Sequence, residues 1–138
     1  MTTTLDNPTI ARGILSESSD DLIVLSIPGT DYQLHLAVYQ RPHSPVGKRI
    51  LGTIRAHARR IDVVKTGGRY IEPVMGTPRR VQGQVIAIDG ANQSICVHAG
   101  VPVLCKTEAR QRPDQFKVGD FVSFDVQPGA SFTPTSAG

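Results

Sequence analysis

Nine of the fifteen lysine and arginine residues fall between positions 48 and 80: Lys48, Arg49, Arg55, Arg59, Arg60, Lys65, Arg69, Arg79 and Arg80. Only Asp62 and Glu72 oppose them, so this stretch carries +7, while the other six basic and ten acidic residues carry −4, which returns the net +3. Guanidinium groups donate paired hydrogen bonds to phosphate, and small β-barrels present strand faces of this kind to single-stranded nucleic acid. The candidate contacts are Arg49, Arg55, His57, Arg59, Arg60, Lys65, Arg69 and Tyr70, with Tyr70 and Tyr39 as aromatic surfaces for bases. The competing reading is a solvated strand face whose arginines shield a sheet edge.

Other chemistry is thinly represented. Cys96 and Cys105 are the only cysteines, and with a two-residue Gly100-Val101 loop they would sit opposite each other on paired strands; reduced, core-filling thiols are the expectation. Gly67-Gly68 in Lys65-Thr-Gly-Gly-Arg69 lacks the strand–loop–helix setting of a phosphate loop and is expected to be a hairpin turn. His35, His43, His57 and His98 are dispersed, so no metal site is expected, and no serine or cysteine stands in a nucleophile elbow. The acidic residues fall mostly at turn positions. No catalytic residues, cofactor or enzymatic activity are expected.

The elements that must carry these residues are strands. Leu34, Leu36 and Val38 alternate with His35 and Ala37, and Val122, Phe124 and Val126 alternate with Ser123 and Asp125, with Gly and Pro between the runs. Two stretches read alike: Gly13 matches Gly83, Arg41-Pro42 matches Arg112-Pro113, and Val46-Gly47 matches Val118-Gly119, at offsets of 70, 71 and 72 residues. Ordered matches of this kind point to an internal duplication. The phrase Lys117-Val-Gly-Asp-Phe-Val-Ser-Phe-Asp-Val126 resembles the entry into a late strand of OB-fold and SH3-like small barrels, and Val46-Gly-Lys-Arg-Ile-Leu-Gly-Thr-Ile54 is similar to it. That resemblance implies an all-β protein of two related small β-barrel-like halves packed together. The expected organisation is a flexible N-terminus over 1–10, a first repeat over 11–78, a second, shorter repeat over 79–128, and a flexible tail over 129–138. Arg55-Ala-His-Ala-Arg59 also resembles the arginine pair of PilZ domains, which bind cyclic dinucleotides, but Val97 stands where the second half of that motif needs glycine.

Within residues 49–63 the apolar parity moves from even positions (Ile50, Ile54, Ala56) to odd ones (Ile61, Val63), so a β-bulge is expected at 58–60. The shorter second half leaves an edge that the first half, the N-terminal residues or another chain must cover, so an assembly or homo-oligomer module is the alternative function. No apolar run is long enough for a membrane helix and no secretory signal is legible, which leaves a soluble cytoplasmic protein as the expectation.

Overall fold

A computed structural model describes residues 8–65 and 67–135; residues 1–7 of the expected N-terminal arm lie outside them. Alternation with a period of two dictates extended chain, and the protein is all-β, 52% strand and 5% helical. Twelve strands follow in order: β1 (Ala11–Ser18), β2 (Leu22–Ser26), β3 (Gln33–Ala37), β4 (Arg49–His57), β5 (Asp62–Val64), β6 (Tyr70–Glu72), β7 (Met75–Gly76), β8 (Arg80–Asp89), β9 (Ser94–His98), β10 (Pro102–Lys106), β11 (Phe121–Asp125) and β12 (Ser131–Pro134). No helix among the described residues is long and apolar enough to cross a membrane.

Five strands close a barrel in the order β1-β2-β3-β12-β4, with β4 returning to β1. Residues 136–138 of the expected tail lie outside the described residues, and within the rest of it stands strand β12. It pairs in parallel with β3 through Ser131 and Ala37 and antiparallel with β4 along its whole length. Phe132 is 2% exposed, and Gly52 on β4 must lack a side chain because the Phe132 ring and the Thr133 carbonyl occupy the space a Cβ would take.

The other strands extend from the far end of β4. Residues 55–57 pair in parallel with residues 104–106 of β10, and the sheet continues β10-β9-β8-β11-β5, with β6 on the other side of β8. The edge left by the shorter second stretch is thus covered from within: β4 lies on β10 and β5 on β11. Leu15, Ile23 and Leu34 share one core with Val85, Ile95, Val122 and Phe124.

Several hydrogen bonds recur between the two stretches. The Leu15 N–H donates to the Lys48 carbonyl and the Leu15 carbonyl accepts from the Gly47 N–H; Val85 bonds in the same way to Asp120 and Gly119. Gly47 and Gly119 both sit at positive φ, +91° and +103°, where other residues are strained. Strand β1 bulges between Leu15 and Glu17, and β8 between Val85 and Ala87.

Tyr32, in the β2–β3 turn, ties the barrel to the remaining strands. Its hydroxyl accepts from the Ile71 N–H on β6 at 2.9 Å and donates to the Ala99 carbonyl in the β9–β10 turn at 3.3 Å. Tyr32→Phe leaves that N–H beside a buried side chain without its partner, an expected loss of about 1–3 kcal/mol in urea unfolding.

The cysteine geometry also differs from expectation. The β9–β10 turn is one residue longer than a two-residue loop, with Ala99 N–H donating to Val101 carbonyl, so Pro102 faces His98, Leu104 faces Cys96, and Cys105 faces Ile95. Register shifted by one puts the two thiols on opposite faces of the sheet. Both are buried and free; burial pushes Cys96 up to about 12 and Cys105 well above the usual thiol range. The native protein should therefore give no reaction with Ellman's reagent at pH 8 and two thiols per chain after unfolding in guanidinium. Rapid reaction of either thiol in the native state would contradict this placement.

Candidate anion-binding cleft

The arginine-bearing segment is shaped where β4 ends. Ala58 is buried, bridges Val126 and donates its N–H to the Lys106 carbonyl at 2.9 Å. Arg59 N–H donates to the Asp125 carbonyl at 2.8 Å, and the chain then bends at Arg59 and Arg60. Ile61 turns back into the core, where the Gln111 side-chain amide pairs with its backbone: Oε1 accepts from the Ile61 N–H at 2.8 Å and Nε2 donates to its carbonyl at 2.9 Å. The expected bulge is thus a bend that ends one strand and begins another. The odd parity also stops at Ile61, because Val63 is 58% exposed.

Beyond the bend, β5 pairs with β11 and β6 with β8, so the two never meet and Gly67-Gly68 is not a hairpin turn. The connection crosses the β11–β8 face instead. There the Gly68 carbonyl accepts from Gln82 Nε2 at 3.0 Å, and the Arg69 guanidinium lies 5.7 Å from the centre of the Phe121 ring while donating to Gln84 Oε1 at 2.6 Å.

Arg80 on β8 stands in register between Glu72 on β6 and Asp125 on β11. Its Nη1 meets Asp125 Oδ1 at 2.8 Å and its Nη2 donates to Ser123 Oγ at 2.7 Å. The hydrogen bond to Asp125, then that to Tyr70, raises its pKa, so it is a fixed cation. Arg79 is held by its backbone, N–H to the Glu72 carbonyl and carbonyl to the Val126 N–H, both at 2.8 Å. Arg59, Arg79 and Arg80 line one cleft of about 520 Å³ with Glu72, Pro73 and Asp125. Among the described residues, the Arg59 and Arg79 side chains have no ion pair or hydrogen bond. The cleft thus sets three guanidinium groups against two carboxylates, Asp125, which Arg80 pairs, and Glu72, an excess of cation that suits a phosphate group.

The basic strip of the sequence therefore does not form one surface. Arg59 enters the cleft, whereas Arg60 is exposed and pairs with Asp62 at 3.1 Å. Arg55 and His57 lie on the outer face of β4, beside Ser131 and Leu104 and beside Lys106 respectively. Arg55 thus stands outside the cleft that takes Arg59. Lys65 is exposed at the end of β5. Tyr70 is half-buried with its hydroxyl on Gln82 Oε1 at 3.1 Å, and Arg69 is committed to Phe121 and Gln84. Arg49, at the start of β4, faces a different cavity. Arg79 and Arg80 count in the basic strip, but strand parity does not reach the Pro78-Arg79-Arg80 entry into β8 and does not single them out. No cluster of three or more metal-ligating side chains occurs among the described residues.

Compared with known proteins, the chain matches no family model, no curated protein and no solved structure.

Proposed function

We propose that this protein is a β-barrel binding module that holds the phosphate backbone of single-stranded nucleic acid on Arg59, Arg79 and Arg80. The observation that carries the reading is one cleft lined by three arginines, two of them without a side-chain partner among the described residues and the third locked by Asp125 and Ser123. Phe121, capped by Arg69, supports it as a stacking surface, four residues from Asp125 along β11 and on the same face, about 13 Å away at strand spacing. Matching offsets of the bulges, positive-φ glycines and hydrogen bonds around Leu15 and Val85 support the finer reading of two OB-like or SH3-like copies of one unit. Two buried, unpaired thiols support a reducing, cytoplasmic setting.

Anisotropy titration of a fluorescein-labelled oligothymidylate tests the reading. Three phosphate contacts predict a log–log salt slope of about −2, at roughly −0.7 per contact for single strands. Absence of binding at low salt would overturn it. A second reading, self-assembly, draws on β5, whose outer edge has no partner strand among the described residues and which carries exposed Val63. It predicts an oligomer in light scattering that Val63→Pro disperses.

A further inference from the structure

Arg49 and Arg59 are ten residues apart on extended chain, about 30 Å along it at strand spacing, and they serve different cavities. The cavity at Arg49 measures about 670 Å³ and lies between the start of the barrel strands and the β9–β10 turn. Its walls are apolar. Ile27 comes from the end of β2, Val101 from the turn, and Ile86 from the bulge in β8, which turns that side chain outward while Val85 stays in the core.

Its polar groups are Arg12, Arg49 and His98. Arg12 pairs with Leu51 and Arg49 with Ile14, so the two arginines are diagonal neighbours across β1 and β4, roughly 7–8 Å apart by backbone position. Arg12 has contacts of its own, whereas Arg49 is exposed and makes no ion pair or hydrogen bond among the described residues. His98 completes the polar set from the end of β9. Burial, then the charge of Arg69, lowers its pKa, so at neutral pH it offers one donor and one acceptor and no charge. A concave site of several hundred Å³ with apolar walls and a few convergent polar groups is the form of a small-molecule pocket.

We infer that this cavity binds a small amphiphilic anion, a carboxylate or phosphate with an apolar body, its charged end on Arg49 beside Arg12 and its body against Ile27, Ile86 and Val101. The site is separate from the proposed nucleic-acid cleft and does not depend on that reading. The chemistry of the walls excludes inorganic anions as full occupants, because they would leave the apolar surface wet. It equally disfavours neutral alkanes, which would leave the guanidinium without a partner.

Isothermal titration of the full chain with decanoate, decyl phosphate, decanol and inorganic phosphate tests the inference. Saturable binding of one decanoate or one decyl phosphate per chain is expected, with decanol and inorganic phosphate at least tenfold weaker. The tighter of the two anions identifies the headgroup. Arg49→Gln should weaken the tighter ligand by about 10-fold or more, through the loss of a charge-assisted hydrogen bond. Ile86→Asp should weaken it similarly by placing a like charge in the wall, while Arg59→Glu should leave it unchanged. Arg49 and Ile86 are exposed and half-buried, so both variants are expected to keep the wild-type circular dichroism spectrum. Equal affinity for decanol, equal affinity for inorganic phosphate, binding unmoved by Arg49→Gln, or no saturable binding at millimolar ligand would each overturn the inference.

Discussion

Replacing Arg59 and Arg79 together with glutamate should reduce oligonucleotide affinity more than 100-fold and bring the salt slope from about −2 to about −0.7. Each guanidinium removed costs a charge-assisted contact of roughly 1.5–3 kcal/mol, and each glutamate adds repulsion toward the remaining phosphates. Stability should barely move, because both side chains are exposed and neither has a side-chain partner among the described residues. Such surface changes usually stay within about 0.5 kcal/mol. Arg80 is a poorer test position, since its loss also strands Asp125 and Ser123. Arg55→Glu serves as the control: it makes the same change per residue, half the charge change of the double variant, on the outer face of β4 and should cost little. Equal losses for Arg55→Glu and for the double variant would mean a diffuse basic surface and no defined cleft.

The largest stability effect is expected at the C-terminal end. Phe132→Ala should cost about 3–5 kcal/mol, the range for deleting a buried phenyl ring, read as a lower urea midpoint. Phe132 packs in the barrel on Gly52, and β12 is the strand that joins β3 to β4. Removing the ring therefore hollows the core at the place where the barrel closes. A cost below 1 kcal/mol would mean that β12 is not part of the cooperative fold.

Much of this architecture was legible before any coordinates. The buried set Ile50, Ile54 and Ala56 on β4, and Leu34, Leu36 and Val38 near β3, follows from period two, because each alternation has one face in the core. Strand β12 was hidden because four residues, one of them proline, carry too little pattern, and their place is decided by β3 and β4, about eighty to a hundred residues away in sequence. Parity alone makes the bend at Arg59 look like a bulge, because the Gln111 side chain that holds Ile61 is fifty residues distant. The register at Cys96 turned on one extra residue in a loop. For the cleft, composition singled out the right region but not the right residues: charge counting includes Arg79 and Arg80, whereas their convergence with Arg59 arises from β8 pairing with β6 and β11. Arg49, grouped with the others by sequence proximity, is taken elsewhere by the length of β4.

The most direct measurement is a map of backbone amide chemical-shift changes as an oligothymidylate is titrated into the uniformly ¹⁵N-labelled protein. The expected result is a contiguous set centred on Arg59, Glu72, Arg79, Arg80 and Asp125, extending along β11 to Phe121. Shifts confined to the outer face of β4 around Arg55, or scattered over the surface without a centre, would contradict it.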